Sequence, residues 1–299
     1  GPAHRSHGES RPPTHALSHA CPGLAPWTEG VALRHFVRRE SDVYPILLKI
    51  GGFHLRAYGT LIAIALLTGS WLAGREAARK GLPPERVQDF IIWAALFGIL
   101  GARLYYLAFA APRIFLEDPL GVLAIWRGGL AIHGALLAGA ATAIWYVRRH
   151  RLSFWRLADT VAPSLILGQA IGRFACLLNG DAYGIPTTLP WAVTFTNPEA
   201  MAPLGVPLHP TQLYEMGLNL ILFGLLWWWR RRIRFDGQLF LLYVGGYGII
   251  RFVVENFRGD QLQYAGGISA AQTLSLLVLI AATTLLSVRA RAAAASPKR

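Results

Sequence analysis

Seven long runs of apolar residues, separated by shorter polar stretches, organise most of this 299-residue chain. They cover residues 58–74, 90–111, 130–147, 158–178, 213–229, 239–254 and 269–288. Each run is close to the roughly 20 residues that an α-helix needs to cross the hydrocarbon core of a bilayer. The pattern therefore predicts an all-α polytopic membrane protein with seven transmembrane helices.

The composition agrees with this prediction. The chain is 54% hydrophobic and only 15% charged, with a mean hydropathy of +0.38, which is more apolar than an ordinary soluble domain. The net charge of +13 and the pI of about 10.4 could also indicate nucleic-acid binding. The positions of the basic residues decide between the two interpretations.

Clusters of basic residues follow the first, third, fifth and seventh apolar runs. They are Arg75, Arg79, Lys80 and Arg86; Arg148, Arg149, Arg151 and Arg156; Arg230, Arg231, Arg232 and Arg234; and Arg289, Arg291, Lys298 and Arg299. The positive-inside rule places these clusters in the cytoplasm, with the N-terminus outside and the C-terminus cytoplasmic. Four further basic residues precede the first run, so the charges around that run do not indicate its orientation. The prediction therefore rests on the basic clusters in the later loops. We expect no nucleic-acid binding.

The apolar runs define three regions of the chain. Residues 1–43 are rich in Pro, His, Ser and Gly, and we interpret them as a disordered tail or an over-extended gene start, with Gly1-Pro2 as a cleavage scar in the first case. Residues 44–288 form the predicted membrane domain, and residues 289–299 a basic cytoplasmic tail. Two cysteines, Cys21 and Cys176, do not indicate a disulfide framework. No Walker, Rossmann or HExxH pattern is present.

Ionisable residues inside the apolar runs are costly in lipid, so they usually face the bundle interior and mark a site. In "GYGIIRFVVENFRGD", Tyr247, Arg251, Glu255 and Arg258 lie on one stripe of a helix. Arg251 and Glu255 are spaced to form an ion pair, which leaves Arg258 over. The stripe predicts an anion site, although a structural ion pair with an arginine at the helix end would give the same pattern.

A second polar stretch is "GQAIGRFACLLNGDAYG", residues 168–184. Arg173 and Cys176 share a helix face there, and Asn179-Gly180-Asp181 predicts a turn. The small residues Gly168 and Gly172 predict close approach of another helix. An arginine followed by a polar turn indicates a helix that ends at a pocket.

Three weaker features complete the set. His133 is the one titratable residue in the apolar part of its run, where it could be a base or merely a packing residue. "LHPTQLYE" places Pro210 in a first helical turn, followed by Gln212, Tyr214 and Glu215. Arg103 is another buried guanidinium, and Tyr58 opens the first run. Several arginines with one histidine, converging on the outer side, suit an anionic phospholipid head group.

Six motifs, in order along the chain, resemble those of the prolipoprotein diacylglyceryl transferase family. They are "AYG" at 57–59, "LGAR" at 100–103, "HGALLAG" at 133–139, "GRFACLLNGDAYG" at 172–184, "HPTQLYE" at 209–215 and "GYGIIRFVVENFR" at 246–258. The resemblance implies a seven-helix protein of the bacterial inner membrane, with its active site toward the periplasmic or outer leaflet. It also implies transfer of diacylglyceryl from phosphatidylglycerol to the lipobox cysteine of a prolipoprotein signal peptide, which releases glycerol phosphate.

The resemblance assigns roles to individual residues. Arg173 and Arg251 match arginines needed for phosphatidylglycerol and catalysis, His133 matches the important histidine, and Tyr58 and Tyr247 match essential tyrosines. The remaining matches are polar or signature positions: Asn179, Gly184, Arg103, Asp181, Gln212, Glu215 and Glu255. Cys176 is a departure, since many members carry Asn there. The chemistry needs no metal or cofactor, and we expect a monomer among membrane lipids.

The sequence does not decide how the thiol of the lipobox cysteine is activated, or which class of function the protein has. The thiol must lose its proton either to His133 or through a pKa lowered by a neighbouring arginine. A lipid or organic-anion transporter would also bury arginines, although its inverted repeats or paired broken helices are not apparent in the sequence. A degenerate relative of the transferase, kept for folding or binding, is a third interpretation.

Overall fold

The computed structural model describes residues 40–41, 45–50, 53–112, 114, 118, 121, 129–260 and 267–295. Most of this part is helical. The helices are α1 (Ala57–Arg79), α2 (Pro84–Phe109), α3 (Ile132–His150), α4 (Phe154–Asn179), α5 (Thr211–Trp229), α6 (Gln238–Glu255) and α7 (Ala270–Ala295). Each predicted run coincides with one of these seven helices, so the helical prediction is confirmed. The predicted N-terminal tail lies almost wholly outside the described residues.

Five of these helices, α1, α2, α4, α6 and α7, are long and apolar enough to cross a membrane, by length and composition. The other two have 19 residues each, and α5 carries the buried polar residues Gln212, Glu215 and Asn219. Large apolar side chains such as Leu67, Leu137 and Ile280 are exposed on the outer faces. Such faces are expected of helices surrounded by lipid, so the chain is a multi-pass membrane protein.

In the described part of the chain, five short strands add to the predicted helices. They are β1 (Glu40–Ser41), β2 (Ile46–Ile50), β3 (Phe53–Arg56), β4 (Val193–Phe195) and β5 (Pro207–Leu208). β4 pairs in parallel with β1 and antiparallel with β5, while β2 and β3 form an antiparallel pair just before α1. β1, β4 and β5, with two or three residues each, are too short to show a period-two pattern. The pattern of long apolar runs did not predict β2 or β3 either, because these strands are only five and four residues long.

Helix α4 has clear boundary residues. The Ser153 hydroxyl accepts a hydrogen bond from the backbone N–H of Arg156 at 3.4 Å, which caps its first turn. Gly180 ends it with φ of 78°, in the left-handed region that glycine adopts without cost. The predicted turn at residues 179–181 therefore lies where the helix stops.

The expected close approach at Gly168 and Gly172 is wrong. A Cβ added at Gly168 would meet no described atom within 4 Å, and one at Gly172 would meet only Ile62 Cδ1 at 4.0 Å. The tight crossing is between α2 and α3, where a Cβ on Gly134 would lie 2.1 Å from the Gly101 carbonyl oxygen. Spacing alone did not distinguish these pairs, because it gives no information about which face meets a neighbour.

Helices α1 and α5 meet at their basic ends. The carboxylate of Glu76, which is 2% exposed, contacts Arg79 Nε at 2.9 Å, Arg230 Nε at 3.3 Å and Lys80 Nζ at 3.9 Å. Burial lowers the pKa of Lys80, and this effect outweighs the opposite influence of Asp159 and Glu76. The cations that follow the first and fifth runs therefore lie together around one carboxylate.

Asp159 of α4 fixes the start of α6. Its carboxylate is fully buried and accepts hydrogen bonds from the backbone N–H groups of Gly237 and Phe240, both at 2.8 Å. These are donors of the first turn that have no partner inside the helix. At the other end of the chain, α7 continues to Ala295, so Arg289 and Arg291 of the predicted tail belong to a helix.

Candidate active site

The central feature is an arginine–carboxylate cluster formed by Arg173, Glu215, Tyr247, Arg251 and Glu255. Glu215 is 1% exposed, and its Oε1 lies 2.9 Å from Arg173 Nη2 and accepts a hydrogen bond from the Tyr247 hydroxyl at 3.0 Å. Glu215 Oε2 lies 3.6 Å from Arg251 Nη1, and Arg251 Nη2 lies 2.7 Å from Glu255 Oε2. One carboxylate on α5 thus joins α4 to α6.

The helical spacing explains this convergence. Tyr247, Arg251 and Glu255 are four residues apart on α6, so they project from one face. Arg173 lies in the last two turns of α4, and Glu215 in the second turn of α5, so both lie near the ends that the connection 180–210 joins. The predicted ion pair of Arg251 and Glu255 is present, and Glu215 is the residue that unites the two arginines.

Arg251 Nη1 is held only by a long ion pair. It lies 3.6 Å from Glu215 Oε2 and has no hydrogen-bond partner in the part of the chain that the structure describes. The side chain as a whole is 20% exposed, like that of Arg173. Guanidinium groups that are fixed by carboxylates on one side and partly open on another can bind the oxygens of a phosphate.

A second set of contacts supports Glu255 from α7. The Ser269 hydroxyl donates to Glu255 Oε1 at 2.8 Å. Ser269 also forms a capping box with Gln272, in which Ser269 N donates to Gln272 Oε1 at 3.0 Å and Gln272 N to Ser269 Oγ at 3.1 Å. Sequence reasoning missed both residues. The S-x-x-Q spacing before an apolar run was the pattern that could have found them.

The turn after α4 lies against the start of α5. Asn179 Nδ2 donates to Asp181 Oδ1 at 2.9 Å, and Gln212 Nε2 donates to the Asp181 carbonyl at 2.8 Å. Tyr58, at the start of α1, interacts electrostatically with Asp181 and Arg173. Residues of α1, α4 and α5 therefore lie together on this side of the cluster.

Cys176 lies beside the cluster. It is a free, buried cysteine that interacts with Arg173, with Asp181 and with the hydroxyl of Tyr58. The departure from Asn at this position therefore lies among the predicted site residues. It replaces an amide by a weaker hydrogen-bonding group at that place.

Position 184 requires glycine because the backbone of other segments lies too close for a side chain. The Gly184 N–H donates to the His209 carbonyl at 3.1 Å, and the next N–H, of Ile185, donates to the Phe257 carbonyl at 2.9 Å. A Cβ at Gly184 would lie 2.5 Å from the His209 carbonyl oxygen and 2.8 Å from that of Phe257. Gly184 also forms an antiparallel bridge with Arg258. Only glycine lets these three segments meet.

Arg258 has a partner, contrary to the expectation from its position on the stripe. Its Nε and Nη2 donate to the two carboxylate oxygens of Asp260 at 2.8 and 2.9 Å. Asp260 follows Arg258 by only two residues, a spacing that does not place the two on one helix face. The pair forms because the helix has already ended at Glu255.

His133 and Arg103 lie outside the arginine–carboxylate cluster. His133 is exposed in the first turn of α3, with its ring 5.8 Å from that of Tyr105. Arg103 is buried and donates to the carbonyls of Gly121 at 2.6 Å and Gly129 at 3.1 Å, which precede α3. Arg103 thus braces the connection between α2 and α3, and the predicted substrate roles of both residues stay predictions.

The chain is similar to one family of known proteins. The profile of the family described as prolipoprotein diacylglyceryl transferase matches residues 45–288. The chain is 39% identical over 257 residues to the phosphatidylglycerol--prolipoprotein diacylglyceryl transferase of Geobacillus kaustophilus, covering 84% of this chain and 95% of that protein. It is 42% identical over 237 residues to that of Thermosynechococcus vestitus, covering 78% and 87%.

A more distant relative is similar over a comparable length. The protein of the same name from Bordetella avium is 34% identical over 264 residues, covering 85% of this chain and 97% of the relative. The matched region includes all seven helices up to residue 288 and the whole arginine–carboxylate cluster. The chain therefore belongs to the prolipoprotein diacylglyceryl transferase family.

Proposed function

We propose that this protein transfers the diacylglyceryl group of phosphatidylglycerol to the lipobox cysteine thiol of prolipoproteins, the first step of lipoprotein maturation. The family and the names of the relatives support this activity. The observation that carries it in the structure is the pair of fixed, partly open arginines around Glu215, inside a bundle of apolar helices.

The reaction replaces a carbon–oxygen bond with a carbon–sulfur bond at one carbon of the glycerol. The thiolate sulfur attacks the glycerol carbon that bears the phosphoester, and the carbon–oxygen bond breaks. The bonding electrons remain on the departing oxygen, so glycerol phosphate leaves with one more negative charge than the phosphodiester had. A thioether joins the protein to diacylglycerol. The step therefore needs cations at the phosphate and a group that removes the thiol proton.

Arg173 and Arg251 stabilise the departing phosphate in this proposal. Charge-assisted bonds from guanidinium to phosphate are strong, and donors aimed at developing charge lower a barrier by about 3–4 kcal/mol each in comparable sites. Arg251 Nη1 has no hydrogen-bond partner among the described residues and only a long ion pair with Glu215 Oε2 at 3.6 Å, so it can bind a phosphate oxygen without breaking a hydrogen bond.

Glu215, Glu255 and Tyr247 position the arginines. Their contacts hold both guanidinium groups before substrate arrives, so little reorganisation is needed during the reaction. Two arginines and two glutamates make the cluster formally neutral, which reduces the cost of burying it.

The remaining predicted residues surround this centre. We propose that Tyr58, Asn179, Asp181 and Gln212 bind or shape the head-group site at the end of α4, where the structure brings them against Arg173 or the start of α5. Gly184 keeps the covering segments close together. Substrate contacts of Arg103 and Arg258 are proposals in addition to their structural bonds.

The thiol proton has two possible routes. His133 is exposed at the start of α3, so a substrate peptide can reach it, and imidazole is a suitable base near neutral pH. Alternatively, the arginines lower the pKa of the bound thiol from its usual value of about 8.5. The pH profile of a His133 variant separates these routes.

We propose that all seven helices span the bacterial inner membrane, with the N-terminus outside and the C-terminus in the cytoplasm. The positive-inside rule supports this orientation, as does the meeting of the basic ends of α1 and α5. The arginine–carboxylate cluster is near the opposite ends of its helices, so the active site faces the periplasmic or outer leaflet. We further propose that the enzyme acts as a monomer.

The test is the mass shift of a model prolipoprotein incubated with phosphatidylglycerol and the purified protein. We expect the intact protein to add diacylglyceryl, and Arg173→Ala and Arg251→Ala to abolish the addition. Cys176→Ser should have a milder effect, because the thiol is not the acceptor. Robust turnover by either arginine variant would contradict the assigned phosphate clamp. Flux of phosphatidylglycerol across vesicles without a covalent product would instead indicate transport.

A further inference from the structure

A layer of polar side chains lies directly beneath the arginine–carboxylate cluster, and the reaction proposed for the cluster leaves it without a role. Gln169 precedes Arg173 by four residues on α4, Asn219 follows Glu215 by four on α5, and Tyr243 precedes Tyr247 by four on α6. We call Gln169, Asn219 and Tyr243 the amide layer. Four helical residues rise about 6 Å, so all three lie about one turn deeper than the cluster.

The amide layer contains buried polar atoms without partners. Asn219 is fully buried, and neither its Nδ2 nor its Oδ1 has a hydrogen-bond partner among the described residues. Gln169 Nε2 donates to the Tyr243 hydroxyl at 3.0 Å, while Gln169 Oε1 is buried and has no such partner in the described part of the chain. Buried amides are nearly always hydrogen-bonded in native proteins, so these atoms are places where a polar group of a ligand or an ordered water can bind.

The surroundings limit the chemistry of that ligand. One to two turns further along, the core is apolar and includes Ala162, Ile166, Leu226 and Leu239. The amide layer itself has no carboxylate and no basic side chain. An amide offers both donors and an acceptor, so it can match a neutral hydroxyl group, which both donates and accepts. An ammonium group only donates, so it would leave the amide donor of Asn219 unpaired and would find no carboxylate in the layer.

We propose that the amide layer binds the hydroxyl groups of the glycerol head group and so selects phosphatidylglycerol among phospholipids. This inference rests on the proposed function, because it requires the phosphate to lie at Arg173 and Arg251. With bonds of about 1.5 Å, the glycerol extends about 5 Å beyond the phosphorus, which matches the depth of the amide layer below the cluster. Asn219 and Gln169 are then specificity-determining residues.

The experiment compares two lipids that differ only in the head-group hydroxyls. Phosphatidylpropanol has the same three carbons and the same phosphate as phosphatidylglycerol but lacks both hydroxyls. Initial rates of thioether formation on a lipobox peptide are measured with each lipid, for the intact protein and for Asn219→Leu. Leu222→Val is the matched control, because Leu222 packs against the core on the same helix without hydrogen-bonding groups.

The intact protein should favour phosphatidylglycerol by about 100-fold, because a site built to hydrogen-bond a hydroxyl rejects the analogue that lacks it. Asn219→Leu should reduce this ratio at least about 10-fold through slower use of phosphatidylglycerol, with phosphatidylpropanol unaffected. Leu222→Val should leave the ratio unchanged.

Other outcomes overturn the inference. If Asn219→Leu slows both lipids equally, the layer binds water or serves packing only. Equal use of the two lipids by the intact protein leads to the same conclusion. Gln169→Leu and Asn219→Ser decide the matter if Asn219→Leu does not fold. If the intact protein forms no thioether from phosphatidylglycerol, the proposed function fails, which is a distinct result.

Discussion

Replacing Glu215 by Gln tests the centre of the proposed mechanism. The change keeps the size of the side chain but removes the charge that joins Arg173 at 2.9 Å and Arg251 at 3.6 Å. The amide can still accept one hydrogen bond, for example from Tyr247. Its NH2 group, however, adds a donor beside guanidinium groups that are themselves donors only. Both arginines therefore lose part of their orientation.

The expected magnitude follows from the contacts that are lost. A hydrogen bond to a charged group contributes about 1.5–3 kcal/mol, and deleting one partner of a buried ion pair costs about 3–5 kcal/mol. Because the amide retains one bond, we expect about 2–3 kcal/mol of transition-state stabilisation to be lost. At 1.36 kcal/mol per tenfold, kcat falls about 30- to 150-fold.

The KM for phosphatidylglycerol should fall or stay constant. Two arginines and two glutamates make the cluster formally neutral, and Glu215→Gln leaves it with one net positive charge. The anionic lipid is then bound at least as well, while the misoriented arginines stabilise the departing phosphate less. A lower kcat without a raised KM indicates loss of an interaction specific to the transition state.

The assay measures thioether formation on a lipobox peptide at several phosphatidylglycerol concentrations in mixed micelles. Asp236→Asn is the control, because its ion pair with Arg156 at 3.5 Å is about half exposed and contributes at most about 1 kcal/mol. A kcat of Glu215→Gln within about threefold of the intact protein would refute the reasoning, as would a raised KM at unchanged kcat.

Three further predictions concern other parts of the molecule. If His133 is the base, His133→Gln should slow transfer about 100-fold at pH 7 and recover as pH passes the thiol pKa near 8.5; an unchanged profile favours the arginine route. Ser269→Ala should reduce kcat about tenfold because Glu255 loses its donor, whereas Ser269→Thr should keep most activity; equal losses contradict this role. Lys80→Met should raise the unfolding temperature by about 2 °C at pH 7. Because burial lowers the pKa of Lys80, the unfolded chain binds the Lys80 proton more tightly than the folded chain does. The gain in unfolding temperature should therefore shrink as pH approaches 10.5. A lower unfolding temperature for Lys80→Met at pH 7 would contradict the prediction.

The apolar pattern predicted the helices because each spanning segment must be nearly continuous in hydrophobic residues. The i, i+4 spacing likewise predicted the pair of Arg251 and Glu255, which is a property of one helix. Glu215 was recognised as a polar motif position, but its contacts with two other helices depend on how α4, α5 and α6 are arranged. A single sequence contains no direct record of that arrangement.

Other features escaped prediction for different physical reasons. The partner of Arg258 is set by the path of the chain after α6, where helical periodicity no longer applies. Ser269 looks like an ordinary helix cap, and only the folded structure places its hydroxyl on Glu255. The strands β4 and β5 are too short for a pattern of their own.

The cap that Asp159 provides at the start of α6 affects the arginine–carboxylate cluster near the other end of that helix. Since an α-helix is stiff along its axis, the two bonds at Gly237 and Phe240 set the height and the rotation of everything that follows on α6. Arg251 lies eleven residues beyond Phe240, about 16 Å along that axis. A slip of one residue at the cap would turn its guanidinium away by about 100°. The orientation of Arg251 is thus fixed from the opposite end of α6, by a carboxylate that lies outside the arginine–carboxylate cluster.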